Sequence, residues 1–379
     1  MTNIEKFLNS GSIFLSGPKK TEEAWVGWGP AVRSAHLKVK EESDSGSLAF
    51  YAPDFFLKDF NPWWIYPSGS FGKFSRESLI ETLQDWISNC GEDVTLSEDS
   101  GFFKNADQEF SKRFQGLQTL FANGELKKAV PISMKKYHAS GNLSLLRAQW
   151  LLNLLKNTRG FPLWIYGTWN ENEGVLGASP ELLFETVKES NGKVRTRTAA
   201  LAGTRLKSER EGRLPLLEDP KELAEHQWVI DGISTSLHRM GLSPIEIGKT
   251  QELELPTLSH LYTEVSAQGQ AGFEETAQRL HPTPALGAFP KERGWEWLKA
   301  QEVDQKRLRF GAPFGVLTPT SECETIVAIR NVQWVTQEVE CKVFLTAGCG
   351  VIAESQCSRE WSEILGKMAS IQKLLGIEL

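Results

Sequence analysis

The stretch of residues 346–367 limits the possible folds of this chain most, and it reads TAGCGVIAESQCSREWSEILGK. Its first part is typical of a strand that ends in a glycine turn over residues 348–350. Glycine permits positive φ there and leaves backbone N–H groups open to a ligand. Its second part predicts a helix with Ser358 as N-cap and an apolar stripe made of Trp361, Ile364, Leu365 and Met368.

The same predicted helix carries Glu360, Glu363 and Lys367, whose i, i+3 and i+7 spacing places them on one face. Taken alone, this pattern is typical of a solvated acidic face with an ion pair between Glu363 and Lys367. Together with the glycine turn, it also suits a divalent cation beside an anionic ligand. A second group of acids elsewhere in the chain is needed to decide between the two interpretations.

Such a group follows Asp219. The dipeptide Asp219-Pro220 predicts the start of a long helix over residues 220–240, with aspartate as N-cap and proline at the first helical position. Glu222 and Glu225 lie on it with i, i+3 spacing. Two helices that each offer a carboxylate pair can enclose one hard cation, and one monodentate carboxylate from each is typical of Mg²⁺. Such pairs also occur on ordinary surface helices, so the pattern alone is weak.

Charge and cysteine content exclude several classes of protein. The 379 residues carry a net charge of −6 and include five cysteines without a CxxC pair. Without a basic field we expect no nucleic-acid partner. The scattered cysteines indicate reduced thiols and not a disulfide or zinc framework. The N-terminus lacks a signal-peptide hydrophobic segment and no run is long enough to cross a membrane, so we expect a cytoplasmic protein.

Strand patterns and helical patterns are mixed along the chain. From residue 161 the segments PLWIYGTW, GVLGASPELLFETV and KVRTRTAALAG predict a meander. Residues 324–333 and 340–346 predict a hairpin that leads into the glycine turn. Further helices are predicted over residues 75–89, 107–123, 143–155, 273–280 and 292–300. This order predicts an α+β fold, with a large antiparallel sheet system covered by helices and no visible domain boundary.

Other charged side chains are candidates for chemistry. Glu181 lies in the apolar segment LGASPELLFE, either at a water-facing strand edge or in a cleft that raises its pKa and suits a general acid. Lys127 and Lys128 lie in a short strand whose alternation lets only one of them face a cleft, where desolvation suits a base. Arg330, in IVAIRN, needs a carboxylate from the protein or from a ligand. His226 is interpreted as a hydrogen-bonding histidine.

The motifs, taken in order, narrow these alternatives. No Walker A, GxSxG or HExxH motif is present. The pairs of acidic residues and the 13 tryptophans would also suit a two-carboxylate glycosidase, which therefore remains an alternative at this point. The segments GASPELLFE, LAGTR, DPKELAEH, LSHLYTEV, LHPTPALGAFP, RLRFGAPFGV, VAIR and AGCGVI…SREWSEILGK resemble the chorismate-utilising enzymes. That family includes isochorismate synthases, salicylate synthases and the synthase subunits for anthranilate and aminodeoxychorismate. The resemblance runs from about residue 124 to residue 367, and residues 1–100 carry little of it.

The resemblance implies a fold and a set of roles. The fold is one large unit of two packed antiparallel sheets with outer helices, a single chorismate-binding catalytic domain over residues 1–379 with its family core in residues 101–379. Glu225 and Glu363 would bind Mg²⁺ directly, while Glu222 and Glu360 would hold metal-bound waters. The metal would grip the ring carboxylate of chorismate. The other substrate contacts would come from Arg330, Gly350, Lys367, His260, Thr204, Ala285 and Gly203.

The resemblance also implies a reaction. Lys128 occupies the base position, where the aminating members have glutamine, and it would activate a water that attacks C2 of chorismate. Glu181 would protonate the departing C4 hydroxyl. These roles predict an isochorismate synthase, a reversible isomerase that serves menaquinone or catechol siderophore biosynthesis. We expect a monomer without an amidotransferase subunit. A salicylate synthase, which goes on to eliminate pyruvate, and a catalytically silent chorismate-binding protein remain the alternatives.

The chain departs from the family pattern at four positions. Ser133 replaces a usual arginine, Phe310 a tyrosine, Val316 a tryptophan and Cys349 an alanine. None of these changes removes a predicted catalytic group, but they bear on the shape of the pocket around the ring. For Cys349 the sequence offers no functional account.

Overall fold

The computed structural model describes residues 3–17, 22–37, 46–91, 93–207, 214–337 and 340–377. In this part of the chain the helices are α1 (Ile4–Asn9), α2 (Arg76–Asn89), α3 (Ser100–Phe103), α4 (Ala106–Ala122), α5 (Leu143–Asn157), α6 (Pro220–Arg239), α7 (Phe273–Leu280), α8 (Lys291–Ala300) and α9 (Cys357–Leu375). Among the described residues, no helix is long and apolar enough to span a membrane.

The strands of the same ranges are β1 (Gly11–Leu15), β2 (Glu23–Trp28), β3 (Val32–Ser34), β4 (Leu48–Tyr51), β5 (Trp63–Tyr66), β6 (Phe71–Ser75), β7 (Val94–Glu98), β8 (Lys128–Ala129), β9 (Ile132–Gly141), β10 (Trp164–Trp169) and β11 (Glu173–Ser179). They continue with β12 (Leu182–Lys188), β13 (Val194–Leu206), β14 (Ile245–Ile247), β15 (Gln251–Glu254), β16 (Leu258–Gln268), β17 (Ala288–Phe289), β18 (Pro313–Leu317), β19 (Cys323–Val327), β20 (Asn331–Gln337), β21 (Glu340–Gly348) and β22 (Val351–Ile352).

Most of these strands form two large antiparallel sheets, which confirms the predicted α+β fold with a two-sheet core. The described strands give one sheet the order β6-β2-β1-β10-β11-β20-β21-β9-β7. The second sheet runs β14-β16-β13-β12-β19-β18-β4-β5-β3, with β15 also paired to β16. A small third sheet, β17-β8-β22, is separate from the two large sheets and lies beside the glycine turn. The early strands are divided between the two large sheets, so the N-terminal residues are part of the same core.

Aromatic side chains fill the space where the two large sheets meet. Phe14 and Tyr166 of the first sheet join Phe50 and Phe314 of the second in one buried cluster. The rings of Tyr166 and Phe314 have centroids 5.0 Å apart. Offset aromatic contacts of this kind bury large apolar areas and fix the relative position of the sheets. The helices cover the outer faces, as the contacts of α9 with β21 and of α6 with β13 show.

Two predicted strands each turn out to be two strands in different sheets. The segment around Glu181 was predicted as one strand. In the structure, β11 of the first sheet ends at Ser179 and β12 of the second sheet begins at Leu182. Pro180 interrupts the ladder because it has no N–H to donate. The predicted meander is therefore wrong at this point, and β10-β11 and β12-β13 are separate hairpins.

The predicted strand over residues 324–333 divides in the same way, between β19 and β20, and the hairpin that leads into the glycine turn is β20-β21. Arg330 lies in this second crossing with φ 55, a left-handed conformation that is uncommon for arginine. The two crossings contact each other, since the Ala178 N–H donates to Arg330 O at 3.1 Å and the Val327 N–H donates to Glu181 O at 3.0 Å. Two predicted functional side chains are thus brought together where the chain changes sheets.

The predicted N-cap residue is correct for α6 and wrong for α9. The Asp219 side chain caps α6 by accepting from the backbone N–H groups of Lys221 and Glu222, as predicted. By contrast, α9 begins at Cys357 with Gln356 at the N-cap position and no side-chain cap. Ser358 is thus inside the helix, and its prediction as N-cap is wrong. The helix is held instead by packing of its apolar face, of which Ile364 and Met368 are buried and Leu365 is partly exposed.

Candidate functional site

Predicted catalytic and substrate-binding residues converge on one cleft. The cleft lies where β13 and β16 face β21 and α9, and it is partly open to solvent. Its lining includes the predicted residues Glu181, Thr204, Glu225, His260, Ala285, Arg330, Gly350 and Lys367. Gly203 lies behind this surface at φ 74, packed against Glu222 and Leu261. A second cleft of about 570 Å³ shares Thr204 with the first and is lined by the other three predicted metal-site glutamates, Glu222, Glu360 and Glu363.

Glu181 is a buried carboxyl at the first sheet crossing. Its side chain is 1% exposed, which rules out the water-facing strand edge considered from the sequence. Burial raises its pKa to about 8, although Lys128, Thr283, Lys367 and Arg330 each act to lower it. The Thr283 hydroxyl donates to its Oε1 atom at 3.4 Å. A carboxyl in such a site is protonated at neutral pH and able to donate a proton.

Lys128 is buried and its neighbour Lys127 is exposed, as the strand alternation predicts. Lys128 belongs to β8, which pairs with β22 just after the glycine turn. Its Nζ atom lies 3.1 Å from Glu225 Oε1, an ion pair whose angles fall outside hydrogen-bond geometry. The strand pattern allowed only one of the two lysines to face a cleft and the resemblance selected Lys128, but neither gave an indication of the pairing with Glu225.

The glycine turn packs closely against this pair. A Cβ atom added to Gly350 would lie 1.9 Å from Glu225 Oε1 and 2.8 Å from Lys128 Cε, distances that no real side chain adopts. A residue without a side chain is therefore required at this position. Cys349, one residue earlier, is fully buried, and nothing in the structure explains why cysteine replaces the usual alanine there.

The four predicted metal-site glutamates lie on facing helices, with Glu222 and Glu225 on α6 and Glu360 and Glu363 on α9. The Lys221 ammonium connects three of them. Its Nζ atom lies 3.2 Å from Glu222 Oε1, 3.2 Å from Glu225 Oε2 and 3.1 Å from Glu360 Oε1. The remaining carboxylate, Glu363, lies 2.7 Å from Lys367 Nζ. Sequence reasoning missed Lys221, although its place directly before Glu222 and four residues before Glu225 was a usable signal.

These carboxylates have unequal pKa values. Burial raises the pKa of Glu222 and of Glu360, and neighbouring carboxylates add to the effect. Burial also acts on Glu225, but Lys128 and Lys221 outweigh it and lower its pKa to about 2. Glu225 is thus the carboxylate of this set most firmly held in its charged form.

The donor set fits a hard divalent cation. Carboxylate oxygens from two facing helices are the ligands that Mg²⁺ takes from proteins, with waters and a ligand oxygen in the remaining positions. A cationic nitrogen already lies among these oxygens, which shows that the pocket between α6 and α9 stabilises positive charge. The four glutamates are the residues available to hold such a cation or its bound waters.

Arg330 and His260 form a polar group on another wall of the cleft. Arg330 Nη2 donates to His260 Nε2 at 2.5 Å, and His260 Nδ1 lies 3.1 Å from Thr204 Oγ1. Burial and the nearby guanidinium hold the pKa of His260 well below its usual range, so the imidazole is neutral with its proton on Nδ1. Arg330 Nη1 is buried and has no hydrogen-bond partner among the described residues. A buried guanidinium nitrogen in this state is suited to a ligand carboxylate.

Lys367 is fixed between the glycine turn and α9. Its Nζ atom donates to Gly348 O at 2.9 Å and pairs with Glu363. Burial acts to lower its pKa, but Glu363 outweighs burial and raises the pKa, so the side chain keeps its charge. Two further polar residues of the site were not predicted. Thr283 donates to Glu181, and Thr346 lines the cleft with a buried hydroxyl that has no partner in the described part of the chain.

Several known proteins are similar to this chain in sequence or in fold. A family profile described as chorismate binding enzyme matches residues 77–376. The chain is 31% identical over 212 residues to the salicylate biosynthesis isochorismate synthase of Pseudomonas aeruginosa, which is 54% of this chain and 42% of that protein. It is 28% identical over 312 residues to isochorismate synthase MenF of Pasteurella multocida, with 80% of this chain and 67% of that protein covered.

An aminating enzyme is similar to the same degree. Anthranilate synthase component 1 of Aeropyrum pernix is 28% identical over 214 residues, or 54% of this chain and 47% of that protein. The chain thus spans about half the length of two of these three relatives. Among solved structures, MenF, the menaquinone-specific isochorismate synthase of Escherichia coli, superimposes with a TM-score of 0.74 at 18% identity, covering 98% of this chain and 90% of that one. The last comparison establishes the fold.

Proposed function

Because the chain belongs to the chorismate-binding enzyme family, we propose that it is an isochorismate synthase that uses Mg²⁺. One observation carries the proposal. A buried lysine, Lys128, lies against Glu225 and Gly350, which line the same cleft as Glu181, a carboxyl whose pKa burial raises to about 8. Adding water to one ring carbon and removing a hydroxyl from another requires one base and one acid, and these two residues supply them.

Lys128 serves as the base. Because Lys128 is ion-paired with Glu225 in the structure, its ammonium group must first give up a proton. The neutral Nζ atom then accepts a proton from a water molecule, and the hydroxide equivalent attacks C2 of chorismate. Lys127 cannot take this part, because it directly precedes β8 and is exposed. The close packing of Gly350 against Lys128 Cε keeps the amine at one position, which is the orientation that proton transfer needs.

Glu181 serves as the acid. As the C2–O bond forms, the ring double bonds shift, the C4–O bond breaks and the Glu181 proton leaves with the hydroxyl as water. One water enters and one leaves, so chorismate and isochorismate are isomers and the reaction runs in both directions. After turnover Lys128 holds one extra proton and Glu181 lacks one, and exchange with solvent restores both.

The remaining charged groups of the site are suited to bind the two carboxylates of the substrate. Arg330, with one nitrogen free of protein partners, and the backbone at Gly350 suit the carboxylate of the enolpyruvyl group. Mg²⁺, when held by Glu225 and Glu363, would supply positive charge for the ring carboxylate. Lys367, Thr204, His260 and Ala285 line the space in which the ring would lie.

The proposal extends to cellular setting and partners. All five cysteines are free in the structure, which supports a reducing, cytoplasmic environment. We propose a monomer that needs no amidotransferase subunit, since a lysine stands at the base position where aminating members carry glutamine. Menaquinone and siderophore pathways both occur among the similar proteins, and either would use the same product.

Product analysis tests the proposal against its rivals. The protein is incubated with chorismate and Mg²⁺, with and without an ammonium salt, and the products are separated by chromatography. The proposal predicts isochorismate in both samples, approaching a mixture with chorismate. Salicylate with pyruvate would instead identify a salicylate synthase, and anthranilate or aminodeoxychorismate in the ammonium sample an aminating enzyme. If chorismate remains unchanged, the result would indicate a catalytically silent chorismate-binding protein.

A further inference from the structure

Lys221 occupies the centre of the carboxylate cluster. It is the second residue of α6, and its Nζ atom lies within 3.1–3.2 Å of an oxygen from each of Glu222, Glu225 and Glu360. Its side chain is 20% exposed, whereas that of Lys128 is 1% exposed. The three carboxylates come from two helices, so this ammonium group bridges α6 and α9.

The glutamates are arranged around an ammonium group and not around a metal ion. As the described residues stand, no three His, Cys, Asp or Glu side chains are grouped so that they could hold a metal. Mg²⁺ requires oxygens at about 2.0–2.1 Å in near-octahedral geometry, which leaves no room for an ammonium among the same oxygens. Lys221 and a metal ion therefore cannot share this position.

We propose that Lys221 is an internal counter-cation that holds Glu222, Glu225 and Glu360 together in the metal-free protein and leaves when Mg²⁺ binds. The inference rests on the proposed Mg²⁺ site. In the metal-free state the ammonium offsets the repulsion among the buried carboxylates. In the metal-bound state the two charges of Mg²⁺ replace it. Mg²⁺ affinity is then set by a competition within the protein, because only the fraction of molecules with Lys221 displaced is ready to bind.

The structure gives Lys221 a route out of the cluster that the other two lysines lack. It lines the second cleft together with the exposed Glu354 at the rim, so its flexible side chain can turn toward solvent. Lys128 is enclosed by Gly350 and Glu225. Lys367 is fixed by the Gly348 carbonyl. Lys221 is a positioning residue in this account, because it acts on the glutamates and not on the substrate.

Mg²⁺ binding to the substrate-free protein tests the inference. Wild type, Lys221→Gln and Lys221→Arg are compared by calorimetric titration with Mg²⁺ alone and by thermal unfolding in a chelator. Lys221→Gln is expected to unfold at a lower temperature without metal, yet to bind Mg²⁺ about tenfold more tightly, since no competitor remains. Lys221→Arg keeps a positive charge and is expected to bind Mg²⁺ no more tightly than wild type.

The matched control is Lys306→Gln, which removes an exposed lysine that pairs with Glu302 at 2.8 Å. It should match wild type in both measurements. Equal or weaker Mg²⁺ binding by folded Lys221→Gln would overturn the inference, and so would equal tightening by Lys221→Arg. If neither wild type nor Lys221→Gln binds Mg²⁺, the proposed metal site itself is wrong, and that result is distinct from the first two.

Discussion

Lys128 Nζ and Glu225 Oε1 lie 3.1 Å apart in a buried ion pair, so the proposed base and a proposed metal ligand are in direct contact. The pair connects β8 with α6, and the glycine turn closes over it at Gly350. A change at any of these three positions therefore affects both proton transfer and cation binding. This relationship explains why a lysine from a two-residue strand and a glutamate from a distant helix belong to one site.

Replacing Lys128 should remove the base and leave the fold intact. Lys128→Ala is expected to lower kcat by about 10³-fold, within the range for loss of a general base. Lys127→Ala is the matched control, because it removes the exposed lysine that directly precedes the strand. Steady-state rates of isochorismate formation check the pair, with circular dichroism to verify folding. Near-normal turnover by Lys128→Ala, or an equal loss in Lys127→Ala, would show that the lysine was assigned wrongly.

Replacing Glu181 should change stability as well as activity. Its folded-state pKa of about 8 lies above the ordinary value of 4.5, so the folded protein binds an extra proton between these pH values and becomes less stable as pH rises through them. Glu181→Gln removes this loss of stability with rising pH, because glutamine does not titrate. The variant should be inactive, yet between pH 5 and pH 8 its stability relative to wild type should rise by roughly 2–4 kcal/mol.

Urea unfolding of both proteins at several pH values measures this difference. Glu302→Gln, at a side chain that is 88% exposed, serves as the control and should follow wild type. For the wild-type enzyme, kcat should fall as pH rises through about 8, when Glu181 loses its proton. A stability difference that does not change with pH would argue against a buried, protonated carboxyl.

Particular residues show how much of this could be predicted from the sequence. The N-cap of α6, and the alternation that lets only one of Lys127 and Lys128 be buried, are local properties and were predicted correctly. The sheet crossings after Ser179 and before Asn331 depend on long-range pairing, which no local pattern records. Lys221 was missed for a similar reason, because its role depends on Glu360 from another helix.

Arg330 should contribute mainly to substrate binding. Its guanidinium is buried, with Nη1 unpaired and Nη2 bonded to His260. Arg330→Lys keeps the charge but loses the planar fork, and it is expected to raise KM by roughly 10²-fold, in line with loss of a buried charged contact. Arg293→Lys, at a side chain 54% exposed, is the control. An unchanged KM for Arg330→Lys would contradict the carboxylate contact.

Gly350 should tolerate no side chain. In Gly350→Ala the new Cβ would overlap Glu225 Oε1 and press on Lys128 Cε, so both activity and Mg²⁺ binding are expected to be lost. Gly116→Ala, on α4 with open space around the added Cβ, is the control and should stabilise its helix by about 0.5–1 kcal/mol. Mg²⁺ titration and thermal unfolding of both variants distinguish local displacement from misfolding. Normal Mg²⁺ binding by Gly350→Ala would contradict the role given to the turn.

Glu363 should matter for the metal more than for the fold. Its carboxylate is near the cluster surface and pairs with Lys367 at 2.7 Å. Glu363→Ala is expected to raise the Mg²⁺ concentration needed for half-maximal rate by at least about tenfold, since one of two direct ligands is lost. The exposed Glu302→Ala provides the comparison. An unchanged Mg²⁺ titration would remove Glu363 from the set of ligands.

The origin of the new hydroxyl tests the central claim most directly. The proposed reaction takes the C2 hydroxyl from solvent and releases the C4 hydroxyl as water. When chorismate is converted in H₂¹⁸O and the product is analysed by mass spectrometry after a short reaction time, the isochorismate should carry one ¹⁸O atom at C2. Unlabelled isochorismate would show that the hydroxyl migrates within the substrate, which would contradict the roles of Lys128 and Glu181.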